Sequence, residues 1–174
     1  MARYIFAFAL ILLAAASRLL PHPPNVAPIT ALALFGAVYL DKKHTFLVPM
    51  AAMLISDYFI GFYAGIAWVY VSFIAVGFVG LLLRRRRGLL QTAVAAAAGS
   101  VLFFVVTNFG VWISSQVSYP HTLSGLLQCY VAAIPFFRNT LLGDAAYVCL
   151  LFGAFETAKR FVPSLASDPN AVKA

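Results

Sequence analysis

Leu89–Ile113 is a run of 25 residues without one Asp, Glu, Lys or Arg. A helix of that length crosses the roughly 30 Å hydrocarbon core of a bilayer, for which about 20 apolar residues suffice. The same character recurs along the chain. Tyr4–Leu20, Pro28–Leu40, Thr45–Phe62, Ile66–Leu83, Leu123–Phe137 and a last run from Arg138-Asn139 to Phe155 are also apolar, parted by prolines, glycines or charge knots. Of the 174 residues, 63% are hydrophobic and 10% charged, against about 45–50% and 25% in soluble domains. Polar surface is too scarce for a soluble globule, a disordered chain or a disulfide mini-protein. The net charge of +7 does not imply a nucleic-acid partner, which needs a basic face on a soluble body. The sequence therefore reads as an all-α integral membrane protein whose first partner is the lipid bilayer.

Lysine and arginine decide which runs cross. With the N-terminus inside and six helices spanning, Arg3, Lys42, Lys43, Arg84–Arg87, Lys159, Arg160 and Lys173 all fall on the cytoplasmic side, ten of the twelve basic residues. That obeys the positive-inside rule. Leu123–Phe137, short and carrying Gln128 and Pro135, is expected to stay on the outer side, because a seventh crossing would put the C-terminal basic cluster outside. Residues 1–162 then form a single transmembrane domain with both ends inside, and 163–174 a flexible cytoplasmic tail. Ala14-Ala15-Ala16-Ser17 after an apolar stretch also resembles a signal-cleavage site. The apolar run continues through Arg18 to Leu20, which favours a retained helix.

The remaining charges, Arg18, Asp57, Arg138 and Asp144, lie within or at the ends of the membrane runs. Together with Asn108 they fall at one depth, in the outer third. An ionisable residue at that depth costs several kcal/mol unless paired or wetted, and marks a functional site by default. Two readings stay open: a closed salt-bridge knot of Arg18 and Arg138 against Asp57 and Asp144, or a water-accessible cavity that opens outward. Pro21-His22-Pro23-Pro24-Asn25 is stiff, since proline fixes φ and removes a donor. It holds His22 and Asn25 above the bundle, and Tyr119-Pro120-His121-Thr122 brings His121 to the same side. Two histidines without a third close ligand do not make a metal site. The aromatic residues at this end fit an interfacial belt.

Catalytic signatures are absent or broken. Gly143-Asp144 follows Leu141-Leu142, so Gly-x-Gly-Asp is incomplete, and Tyr58 follows rather than precedes Asp57; the two-aspartate intramembrane protease reading fails on both. Ser114 and Ser115 lack the Gly-x-Ser-x-Gly elbow, and no phosphate-binding GxxxxGK[ST] loop is present. No enzyme activity and no cofactor are expected. Cys129 and Cys149 sit in apolar surroundings without CxxC spacing and read as small hydrophobes. Ala93/Ala97, Ala95/Gly99 and Ala154/Ala158 are small-xxx-small pairs that allow close helix approach, within the bundle or to other membrane subunits.

Six helices with both ends inside, a short second helix and an outward site resemble the substrate-binding (S) components of energy-coupling-factor vitamin transporters. The segments Arg18–Pro28, Asn108-Phe-Gly-Val-Trp112, Tyr119–Gly125, Cys129-Tyr130 and Ile134–Asp144 look like a family of uncharacterised bacterial membrane proteins with that layout. The resemblance implies a multi-pass protein of the bacterial inner membrane that binds a vitamin-like or cofactor-precursor-like solute. The loop around His22 and Asn25 would gate the site, and Ser114–Arg138 would close its other side. The Ala-xxx-Ala pattern common in the first helix of S components is missing, which favours a solitary carrier over one docked on a separate energising module. The expected solute contacts are Arg18, His22, Asn25, Asp57, Asn108, His121, Arg138, Asn139 and Asp144. Paired arginines and aspartates suit a zwitterionic or hydrogen-bond-rich solute. The alternative is a structural or assembly subunit of a larger membrane complex, with the polar cluster as a buried knot.

Overall fold

The computed structural model describes residues 2–41, 44–84, 88–114 and 119–166. Among these the chain is all-helical: α1 (Ala2–Ser17), α2 (Ile29–Tyr39), α3 (His44–Ile60), α4 (Ile66–Leu83), α5 (Leu89–Ile113), α6 (Leu123–Phe161) and α7 (Pro163–Ala166). Lys42, Lys43, Arg85–Arg87, Lys173 and residues 115–118 of the outer segment lie outside the described residues.

Three helices, α4, α5 and α6, are long and apolar enough to cross a membrane, whereas α1, α2 and α3 are shorter apolar helices. Large apolar side chains face outward over much of the surface, among them Leu12, Leu13, Leu82, Leu89, Leu90, Leu127 and Val131. In water such a surface would associate; against lipid tails it is the appropriate one. The arrangement is that of a helical membrane protein.

At the centre stands α2. Its residues Thr30–Tyr39 are all buried, as expected of a helix that is apolar all round. It packs against α1, α3, α4, α5 and α6. Its 11 residues cover only about 16 Å at 1.5 Å per residue, roughly half of a bilayer core, so α2 on its own is not the full crossing expected of it. Phe35, Tyr39, Phe152 and Phe155 stack around it, with Tyr39 and Phe155 centroids 4.3 Å apart. Arg84 closes its C-terminal end, donating through Nε to the Ala37 carbonyl (2.8 Å) and through an amino group to the Leu40 carbonyl and Thr45 Oγ1. These are carbonyls that a helix terminus leaves without partners of its own. At the same end Tyr39 donates to Glu156 (2.6 Å), which pairs with Lys159 (2.7 Å), and the buried Arg3 lies over the Phe155 ring.

The largest departure from the sequence reading is α6. Leu123–Phe137 and the run after Arg138 are one continuous 39-residue helix, with Pro135 inside it. It starts on a Thr122 cap, whose hydroxyl accepts from the Gly125 amide. Its first half lies along the end of α5: Tyr130 donates to the Val105 carbonyl (2.8 Å), and Phe137 stacks on Phe104 with centroids 4.6 Å apart. The start of the expected tail also differs, since Pro163–Ala166 form a helical turn with Leu165 buried, packed on α1 and α6.

Candidate functional site

The helices alternate in direction, so the C-terminal ends of α1, α3 and α5 meet the N-terminal ends of α2 and α4 at one end of the bundle. Because α2 is short, its N-terminus starts well inside that end and leaves space above it. The result is a cavity of about 410 Å³, within the roughly 300–1,000 Å³ of small-molecule sites. Arg18, His22, Asn25, Thr30, Tyr63, Thr107, Asn108, Thr140 and Asp144 supply its polar lining, with Val69, Phe103 and Val111 among the apolar part.

The loop before α2 forms part of the wall and is held by α6. Asn139 Nδ2 donates to the Pro24 carbonyl (3.0 Å). Gly143 lets the loop approach, since a Cβ there would lie 3.1 Å from Val26 Cα. Asn25 adopts φ 63°, the left-handed region that Asn tolerates better than most residues. His22, at the mouth, donates through Nδ1 to the Pro23 carbonyl (3.1 Å). On the other side α5 approaches α2 closely enough that a Cβ on Gly99 would stand 2.7 Å from Thr30 Cγ2.

Two acidic groups occupy different environments. Asp57 is fully buried and tied off: Arg18 Nη2 is 2.6 Å from Oδ1, and Tyr70 donates to Oδ2 (2.5 Å). Arg18 Nη1 donates to Ser56 Oγ (2.5 Å). This is a closed knot between the ends of α1, α3 and α4, and Asp57 is not part of the cavity wall. Asp144 is 2% exposed yet lines the cavity, where Ser100 Oγ donates to Oδ2 (2.6 Å).

Of the nine residues singled out in the sequence, the cavity brings together Arg18, His22, Asn25, Asn108 and Asp144. Asp57 stands behind Arg18, and Asn139 acts on the loop. His121 lies elsewhere: Nε2 donates to the Trp112 carbonyl (3.1 Å) and the ring packs edge-on against Trp112, which in turn donates to the Pro120 carbonyl. These bonds fasten the α5–α6 connection. Arg138 is exposed and off the cavity wall, so the four-charge knot does not form; Arg18 pairs with Asp57 alone. Thr30, Thr107, Thr140 and Tyr63 were not anticipated as lining residues. Thr140 is one helical turn before Asp144, a spacing that puts both on one face. Among the described residues no cluster of three metal-ligating side chains occurs. Cys129 is buried 3.5 Å from the Asn108 carbonyl, and Cys149 is exposed on α6.

A model of a family of unknown function, DUF6580, matches residues 1–165. No curated protein and no solved structure matches the chain.

Proposed function

The chain belongs to the DUF6580 family, and we propose that it is a small-molecule binding and uptake protein of the bacterial inner membrane, similar in layout to the S components of energy-coupling-factor transporters. The observation that carries this reading is the cavity of about 410 Å³ at one end of the bundle. Loops roof it, the end of α2 floors it, and a buried carboxylate faces into it. A cofactor-precursor-sized solute fits that volume. In the six-crossing arrangement with both ends inside, α2 crosses with the help of its flanking loops, and the cavity faces outward. Release to the inside then follows a toppling or rocking of the whole bundle, with or without a separate energising subunit. No catalytic step is part of the proposal.

Native mass spectrometry of the gently purified protein tests it. A small molecule that co-purifies with the wild type and is lost from Thr107→Trp, which fills the cavity, supports a solute site. Stoichiometric co-purification of other membrane subunits without any small ligand favours the assembly-subunit alternative, for which the exposed Ala93, Ala97 and Ala98 on α5 offer a close-packing face.

A further inference from the structure

The polar groups that reach the cavity are unequal in sign and in hydrogen-bonding sense. Arg18 is the one Lys or Arg among the lining residues, and its charge is cancelled from behind the wall by Asp57, 2.6 Å away. Among the described residues Asp144 has no such partner; the Ser100 hydroxyl donates to it, and Thr30 lines the same cavity. Hydroxyl donors favour a carboxylate without cancelling its charge. The N-terminus of α2, which begins at Ile29 beside this group, contributes about half a positive charge at most. The cavity therefore keeps net negative character.

A second set of bonds points the same way. Thr107 donates its hydroxyl proton to the Phe103 carbonyl (2.8 Å), Asn108 Nδ2 donates to Phe104 (2.8 Å), and Thr140 donates to Phe136 (3.3 Å). In each case a donor serves the carbonyl one turn back in its own helix; this commits the single hydroxyl proton of each threonine and leaves its lone pairs, while Asn108 keeps one amide N–H besides its carbonyl oxygen. The wall around Asp144 thus offers acceptors from Thr107, Thr140 and the Asn108 carbonyl oxygen, and a molecule that brings protons satisfies them.

Building on the solute-binding reading, we propose that the cavity selects a small organic cation bearing N–H donors, a primary ammonium or an amidinium. Its charged nitrogen sits against the Asp144 carboxylate, and its remaining protons are shared among Thr107, Asn108 and Thr140. The arrangement disfavours anions through the charge of Asp144.

The test is a charge series on the full-length protein in lipid nanodiscs. Alkyl, phenyl and indole frames are each supplied as the ethylammonium, the ethyl alcohol and the acetate, and saturable thermal stabilisation is read by far-ultraviolet circular dichroism. The expected result is that one or more ammonium compounds stabilise the wild type while their alcohols and carboxylates do not. Asp144→Asn, which keeps the shape and can still accept from Ser100, then weakens the ammonium compound by about 30-fold or more, as for loss of one partner of a buried charge pair. Stabilisation by an alcohol or a carboxylate to the same extent overturns the cation inference and leaves a solute site standing. Failure of every compound in all three charge classes overturns the cation inference and the solute-binding reading together. The wild-type series decides even where Asp144→Asn does not fold.

Discussion

Arg18→Met isolates the energetics of the Arg18–Asp57 knot. The substitution keeps an unbranched side chain of similar length but removes the cation, leaving the fully buried Asp57 with only the Tyr70 hydroxyl. Removing one partner of a buried ion pair typically costs about 3–5 kcal/mol, because a buried charge is left uncompensated. The other losses are smaller: interhelical hydrogen bonds in membrane proteins average about 0.6 kcal/mol, and the Arg18 bonds to the Met53 carbonyl and sulfur are long at 3.4 Å. With the Arg18–Ser56 bond also lost, the larger part of the effect still belongs to the stranded carboxylate. Combining Arg18→Met with Asp57→Asn removes that charge as well, and the amide oxygen introduced there still accepts from Tyr70. The double variant should be destabilised by only about 1–2 kcal/mol, so the second substitution rescues the first by about 2–3 kcal/mol. Unfolding in mixed micelles with rising dodecyl sulfate, followed by tryptophan fluorescence and circular dichroism, measures both. A double variant no more stable than Arg18→Met refutes the reasoning, since it would mean that Asp57 is not a charge held in place by Arg18.

Asn139→Ala removes the bond to Pro24 and should raise amide exchange of the 22–27 loop while costing the fold only about 0.5–1.5 kcal/mol; hydrogen exchange at Val26, whose amide donates to Pro23, reports it. Gly143→Val forces side-chain atoms against Val26 and should cost about 1–3 kcal/mol by overpacking, with faster proteolysis of that loop; an unchanged digestion pattern counts against the close approach. Arg84→Gln leaves the Ala37 and Leu40 carbonyls without the Arg84 guanidinium and should destabilise by about 1–3 kcal/mol, measured in the same micelle titration. In a Cys149→Ser background, Cys129, buried against α5, should react with N-ethylmaleimide only on unfolding; reaction in the folded protein would contradict the packing of α6 on α5.

The apolar runs located most helices within a few residues. Ile66–Leu83 and Leu89–Ile113 coincide with α4 and α5, because glycine or a charge knot sits at their boundaries. The division of α6 at Phe137 went wrong because Pro135 and Arg138-Asn139 carry the marks of a break. Inside the helix, proline removes one amide donor, Arg138 points outward, and Asn139 directs its polar group to the loop. Spacing brought Arg18, Asn108 and Asp144 to one end of the bundle, where they line one cavity, but it carried no direction around a helix. Arg138 and Asp144, six positions apart, differ by about 120° at 3.6 residues per turn, which already separates them. Thr30 and Thr107 were invisible as lining residues because a threonine in an apolar helix has no sequence mark distinguishing a wall position from one that merely bonds its own backbone.

The short central helix has a consequence for traffic. A solute resting on the N-terminus of α2 is separated from the opposite end of the bundle by about 16 Å of helix, hemmed in by Phe35, Phe73 and Phe155, which have no exposed surface. A passage cut there would dismantle the core on which α1, α3, α4, α5 and α6 lean. On the proposed uptake reading the cavity is a cup with a thick base: its contents would leave by the rim, and delivery to the far side would require turning the cup over.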